Sequence, residues 1–359
     1  MIPIAEPYIG EEELNNIIEA VKSGWISSKG KFITEFEESF ANYCNVYGIA
    51  VSNGTVALHL ALKALGIKKG DEVIVPTLTF IATANAVKYC NAKPVFVDSH
   101  PDYWCIDPEK IEEKITDKTK AIIPVHLYGH PCDMDAINDI AQDHDLYIIE
   151  DAAEAHGAEY KGKKVGSFGD VSCFSFYGNK IITTGEGGMC LTNNEELAKK
   201  MRILRDHGMN PNKRYWYDVI GFNYRMTNLQ AAIGVAQVRK LDEFIGKKRE
   251  IAKIYNSYLK DTKGITSPPE MNWAKNVYWM YSVLIEKEFG MNRDELMKKL
   301  EKNEIETRPF FYPIHEMPPH KSNENFPVAV KLSKKGINLP SHLKLKTEDI
   351  EKITRKIKE

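Results

Sequence analysis

Short apolar runs alternate with helical patterns through the first two thirds of the chain. The runs lie at Glu72–Val75, Pro94–Val97, Ala121–Val125, Leu146–Glu150, Val171–Phe176 and Met189–Thr192. Between them the spacing predicts helices over Thr55–Leu65, Phe80–Tyr89, Met134–His144 and Glu195–Asp206. A strand with one wet face alternates apolar and polar residues, and most of these runs do not. They predict an α/β fold whose sheet is mostly parallel, buried on both faces and flanked by helices.

Two further helical signals frame this region. Thr34-Glu35-Phe36-Glu37 predicts a capping box that opens a helix to about Tyr43. A long helical pattern over Leu229–Tyr258 predicts a bridge into a second unit. Beyond it come a strand-like run at Val277–Ile285, a helix at Arg293–Lys302, a Pro-rich loop at Pro309–Pro319 and an amphipathic helix at Thr347–Lys358. A chain of 359 residues is long for one core. The expectation is a large domain over residues 1–238 and a small C-terminal α/β domain over residues 239–359.

Composition removes several classes of function. The net charge of −2 leaves no electrostatic footprint for nucleic acid. The uncharged run Val73–Val87 is shorter than the roughly 20 residues of a spanning helix, so no membrane partner is expected. The N-terminus has no basic stretch followed by an apolar one. Six cysteines show neither a C-x-x-C pair nor metal-ligand spacing, so no metal is expected. The expected location is the cytoplasm.

Lys180 follows the run Val171–Phe176, and Asp151 follows Leu146–Glu150. A lysine and an acid at the C-terminal ends of two strands suit pyridoxal phosphate. The amine holds the cofactor covalently, and the acid keeps its ring nitrogen protonated. Taken singly, a lysine there is a solvated loop charge and an aspartate a turn or helix cap. Glu154, the next acid along, is the second candidate for the acid's role.

Neighbouring segments supply the rest of such a site. Ser52-Asn53-Gly54-Thr55 opens a predicted helix, and amides at a helix N-terminus suit a phosphate. The same residues also suit an ordinary Asn-Gly turn with a Thr cap. Ser175 offers a hydroxyl to the same phosphate. Phe80, at a helix start beside Thr79, either stacks on a flat ring or packs in the core. His156 either orients Asp151 or packs against its loop. Gly185, Gly187 and Gly188 predict a tight turn with positive φ, fixed by Glu186.

Six segments in this order resemble the DegT/DnrJ/EryC1/StrS family of nucleotide-sugar aminotransferases. They are Gly24–Ser28 (Gly-Trp-Ile-Ser-Ser), Ser52–Thr55, Glu150–Gly157, Ser175–Lys180, Gly185–Gly188 and Tyr224–Ala232. The resemblance implies the aspartate aminotransferase-like (type I) pyridoxal phosphate fold, in a homodimer with active sites shared between subunits. It implies Lys180 as the covalent anchor, Asp151 at the ring nitrogen and Phe80 stacked on the ring. It places Gly54, Thr55 and Ser175 on the phosphate, with Asn228 of the partner subunit reaching the same group. Glu154 completes the cofactor set. The implied partners are a nucleotide-diphosphate keto sugar and the pair L-glutamate/2-oxoglutarate, with pyridoxamine phosphate between the two half-reactions.

Candidate substrate-binding residues are Ser27, Arg225, Arg308, Tyr312 and His315. Thr307–His315 and Val125–Pro131 are similar to the branch that aminates GDP-4-keto-6-deoxymannose at C4. Enzymes acting on dTDP- or UDP-4-keto-6-deoxyglucose share much of this pattern. One branch of the family carries His at the lysine position and dehydrates the sugar at C3; Lys180 argues against it. A non-catalytic pyridoxal phosphate-binding regulator is the reading from another class.

Overall fold

The computed structural model describes residues 1–359. Eleven α-helices cover Glu11–Ser23 (α1), Lys31–Cys44 (α2), Gly54–Ala64 (α3), Ala82–Tyr89 (α4), Met134–Asp143 (α5), Glu195–Arg205 (α6), Asn228–Arg239 (α7), Leu241–Leu259 (α8), Arg293–Lys302 (α9), Pro327–Lys335 (α10) and Thr347–Lys358 (α11). The first nine strands are Tyr47–Val51 (β1), Glu72–Pro76 (β2), Lys93–Val97 (β3), Thr119–Ile122 (β4), Tyr147–Asp151 (β5), Glu159–Tyr160 (β6), Lys163–Lys164 (β7), Val171–Ser175 (β8) and Gly188–Thr192 (β9). The others are Ile265–Thr266 (β10), Ala274–Lys275 (β11), Tyr281–Ile285 (β12), Arg308–Pro309 (β13) and Gly336–Leu339 (β14).

The main sheet has seven strands in the order β1-β9-β8-β5-β4-β2-β3. From β3 across to β8 every pairing is parallel, and β9 runs antiparallel to both β8 and β1. Strands β2, β8 and β9 are buried at every position, as their unbroken apolar runs require. A mostly parallel buried sheet is therefore what the sequence predicts and what forms. Strand β1 carries the short apolar run Ile49–Val51, and α1, α10 and β14 carry no local pattern strong enough to predict them.

Two sequence expectations need correction. The helix read from Thr34 begins at Lys31, with Gly30 at its N-cap, so Thr34 lies inside α2. Its first turn is capped from far away in sequence: Phe32 N–H donates to Asn228 Oδ1 at 3.1 Å. The helix read over Leu229–Tyr258 is two helices, α7 and α8, parted at Lys240 with φ −98° and ψ 0°. There the Lys240 ammonium holds the buried Glu13 carboxylate at 2.8 Å. Both interactions are tertiary, so no local pattern announces them.

A second, four-stranded antiparallel sheet runs β10-β12-β14-β13. Its own core includes Tyr255, Tyr281, Leu296, Ile337, Ile350 and Ile357. The Pro-rich loop after β13 packs on the large core instead, through Phe310 and Ile314. Ile314 N–H donates to Thr77 O at 2.8 Å, and His320 Nε2 meets Asn85 Oδ1 at 2.7 Å. No helix is long and apolar enough to cross a membrane.

One buried carboxylate anchors the strand ends that concern function. Glu150 accepts from the amides of Gly166, Phe168 and Gly169 at 2.8 Å each, and from Ser172 Oγ at 2.7 Å. His126 Nε2 stands 3.1 Å from it. Since Cys132 N–H donates to His126 Nδ1 at 3.0 Å, the ring proton lies on Nε2 and faces Glu150. Burial raises the Glu150 pKa, but these donors outweigh it and hold the pKa at about 2, below the usual 4.5. A depressed carboxylate stabilises the fold above its unfolded value and loses that effect as pH falls. Glu150→Gln should thus lose about 3 kcal/mol at neutral pH, measured by urea denaturation. The gap to the unsubstituted protein should narrow below about pH 4.5, as the unfolded chain's carboxylate takes up a proton, and level off near pH 2, where the folded one does too.

Candidate active site

A cavity of about 660 Å³ opens at the C-terminal ends of β1, β5 and β8. Ligand sites in open α/β sheets lie at this edge. The chain brings Gly54, Thr55, Phe80, Asp151, Glu154, Ser175, Lys180 and Arg308 together in its lining. These residues span 255 positions of sequence and meet because the parallel strands end side by side.

Asp151 is the last residue of β5 and is buried. Thr83 Oγ1 donates to its Oδ2 at 2.8 Å and Ala153 N–H to its Oδ1 at 3.2 Å. Burial pushes its pKa up, while Thr83, Ala153 and Lys180 pull it back. Glu154 accepts Tyr128 N–H on Oε2 at 2.7 Å, and its Oε1 lies 4.0 Å from Lys180 Nζ. Burial raises its pKa to about 7, against the pull of Lys180. Lys180 Nζ sits 3.9 Å from the centroid of the Trp279 indole. Burial depresses the lysine's pKa, and Glu154 and Asp151 oppose that shift. A depressed lysine is more often the free amine, the form that attacks a carbonyl.

The open end of α3 faces the same space. Asn53 caps Val56 N–H at 3.0 Å, whereas the amides of Gly54 and Thr55 find no acceptor in the chain. A Cβ at Gly54 would come within 2.8 Å of Ser175 Cβ, so only glycine lets the helix start approach β8 this closely. Two free amides at a helix N-terminus form an anion cradle. Two carboxylates against one ammonium leave room for a cationic ring nitrogen. The residues present therefore fit pyridoxal phosphate.

Phe80 is 55% exposed and lies on the cavity wall, 6.0 Å from Phe311 between ring centroids, so it is not a core residue. His156 makes no hydrogen bond and packs among Phe40, Phe174 and Phe176. Burial drops its pKa to about 3, and it gives Asp151 no hydrogen bond. Of the three glycines only Gly185 has positive φ, at 83°. At Gly188 the reason is space, since a Cβ would stand 2.4 Å from Asn53 O. Glu186 holds the turn through its carbonyl, which accepts from Thr184 Oγ1 at 2.7 Å.

Five candidates lie outside the cavity. Ser27 O accepts Asn228 N–H at 2.6 Å. Asn228 is buried, follows the true cap Thr227, and spends its amide on Phe32 N–H and Trp25 O. Arg225 pairs with Asp206 at 2.9 Å. Tyr312 is exposed, and His315 Nδ1 is tied to Thr77 Oγ1 at 2.7 Å. Conversely, the sequence reading missed Thr83, Tyr128, Trp279, Phe311 and Asn338 as site residues. The last three come from the C-terminal third, where nothing local marks them.

Residues 7–358 match the DegT/DnrJ/EryC1/StrS aminotransferase family. The chain belongs to that family. GDP-perosamine synthase of Caulobacter vibrioides is 50% identical over 356 residues, 98% of this chain and 96% of the relative. Among solved structures, the aminotransferase TlmJ from Streptoalloteichus hindustanus superposes with a TM-score of 0.94 at 30% identity, covering 100% of this chain and 98% of TlmJ. Spr1654 from Streptococcus pneumoniae, solved in its PLP-form, gives 0.94 at 28% identity over 99% and 97% of the two chains. The architecture is the type I fold of pyridoxal phosphate aminotransferases. Pyridoxal phosphate is the cofactor that membership of the DegT/DnrJ/EryC1/StrS family implies.

Gly54→Ala should weaken pyridoxal phosphate binding by about tenfold or more, measured as an equilibrium dissociation constant. Unchanged affinity would remove the phosphate from the start of α3.

Proposed function

We propose that this aminotransferase moves an amino group from L-glutamate to C4 of GDP-4-keto-6-deoxymannose. The observation that carries the reaction type is Lys180 Nζ beside Glu154, in the same cavity as Asp151. Support for the acceptor comes from the 50% identity to GDP-perosamine synthase over nearly the whole chain.

Pyridoxal phosphate, when bound, takes up the electrons freed as a proton leaves the donor's α-carbon. Lys180 would anchor it, be displaced by the donor amine, and then carry that proton as a base. Asp151, held by Thr83 and Ala153, would keep a proton on the ring nitrogen. The free amides of Gly54 and Thr55, with Ser175 Oγ, would bind the phosphate, and Phe80 would lie along the ring. Arg308 lines the cavity and Arg225 does not, which favours Arg308 for the donor carboxylate or the nucleotide diphosphate.

The active unit is a homodimer in this proposal. Support comes from Trp25, Ile26, Trp216 and Ile220, large apolar side chains that are exposed in the single chain. Because Asn228 is committed within its own chain, its part there is to hold the Trp25–Phe32 segment.

Lys180→Ala should abolish turnover and leave the fold intact by circular dichroism. Asp151→Asn should lower kcat by about 100-fold or more while pyridoxal phosphate still binds. Adding glutamate to the holoenzyme should convert the cofactor to pyridoxamine phosphate; a non-catalytic binding protein would leave it unchanged. With glutamate as donor, kcat/KM should be higher for the GDP-linked than for the dTDP- or UDP-linked 4-keto sugar. The reverse order overturns the acceptor and keeps the reaction.

A further inference from the structure

Lys248 projects from α8 into the protein and is 6% exposed, with no carboxylate paired to it. Its Nζ donates to three oxygens: Trp279 O at 2.8 Å, Ser341 O at 2.5 Å and Ser341 Oγ at 3.0 Å. Burial lowers its pKa to about 7, and three acceptors are what the charged form gains in return. A buried, unpaired ammonium is costly, and a methionine would fill the same volume without that penalty. What the lysine adds is a point where three segments meet. It joins α8, the backbone just before β12 and the backbone just after β14. Only an ammonium offers three donors from one atom.

The backbone it grips carries Trp279. Tyr278, next to it, sits in the left-handed region at φ 48°, a turn that needs holding. Asn276 Oδ1 accepts Tyr278 N–H at 2.7 Å on the near side. The indole is fixed at its far end as well, where Trp279 Nε1–H donates to Asn179 O at 2.8 Å. One ring face lies 3.9 Å from Lys180 Nζ, and Tyr128 is near-parallel to the indole at 6.2 Å. Backbone oxygen, ring nitrogen and ring face are thus all engaged, and the reactive amine rests on the result.

We infer that Lys248 is a positioning residue for Lys180, acting through Trp279. Its ammonium fixes the backbone that bears the indole, and the indole fixes the height and exposure of the amine. Lys248 matters in this way only if Lys180 is the reactive amine proposed above. Without the clamp, Trp279 O loses its partner and the 278–280 segment relaxes. A displacement near 1 Å of a group that orients the reacting atoms costs up to about 100-fold in rate.

The test is a double-mutant cycle of Lys248→Met and Trp279→Ala, read in two ways. In the holoenzyme, Lys248→Met should lower kcat by about 10- to 100-fold and change KM for the keto sugar by less than about threefold. In the full-length protein freed of cofactor, an amine-reactive reagent and peptide mapping give the pH midpoint for modification of Lys180. That midpoint should rise in Lys248→Met, because a less covered amine loses the burial that depresses it. The double variant should be no worse than Trp279→Ala alone, since both changes break one chain of contacts. Multiplying effects on kcat, or an unmoved Lys180 midpoint, overturns the inference. If Lys248→Met does not fold, Lys248→Gln enters the same cycle and is read the same way. Lys180→Ala separates the two claims. Turnover surviving there removes the role of Lys180, whereas no turnover there with multiplying effects in the cycle removes only the role of Lys248.

Discussion

Asp151 faces the cavity because its neighbour Glu150 faces the other way. Successive strand residues point to opposite sides of a sheet. Glu150 uses its side to collect three amides, a hydroxyl and an imidazole, from the segment following β4, the loop before β8 and β8 itself. This ties the strands on either side of β5 to the residue next to Asp151. The register at the end of β5 is then fixed on both edges: Cys173 O accepts Ala152 N–H at 2.9 Å, and His126 N–H donates to Asp151 O at 3.1 Å. Every other distance in the cavity is measured from that fixed edge.

On the cavity side the electrostatics run in the opposite sense. Glu150 is saturated with donors and stays ionised, whereas Asp151 and Glu154 have few donors and are pushed up by burial. Lys180 is pushed down in the same place. Acids raised and a lysine lowered bring their proton affinities together, which is the condition for passing a proton at neutral pH. The same burial that makes this cavity hard to charge makes it useful.

The C-terminal third completes the site although it builds a separate small core. Trp279, Arg308, Phe311 and Asn338 all reach the cavity from there. Phe311 N–H donates to the Tyr128 phenol oxygen at 3.0 Å, and Tyr128 N–H in turn donates to Glu154. A path of hydrogen bonds thus runs from β13 to the acid beside Lys180. The Pro-rich loop beyond β13 is sewn to the large core at Thr77 and Asn85, so it serves as a fixed wall.

The sequence by itself determined the elements whose signals are local. Mostly apolar runs marked the parallel strands, because burial on both faces favours apolar residues and admits a polar one only where it finds partners, as Glu150 and Ser172 do. Residues at or just past the strand ends, Gly54, Asp151, Ser175 and Lys180, were legible for a related reason, since parallel strands end side by side. Tertiary structure decided what depends on contact across the chain. Asn228 caps α2 from 196 positions away, a role no pattern around either residue encodes. A continuous helical pattern parts at Lys240, where the ammonium meets the distant Glu13. Trp279 lies in a segment that reads as a strand, yet its indole lies under the Lys180 amine, 3.9 Å from it. Tyr312 and His315, four and seven residues beyond Arg308, lie outside the cavity, where bonds from Ile314 and His315 to Thr77 hold their loop. Spacing along a chain fixes which face a residue shares with its neighbours; which distant group meets that face is settled only when the layers pack.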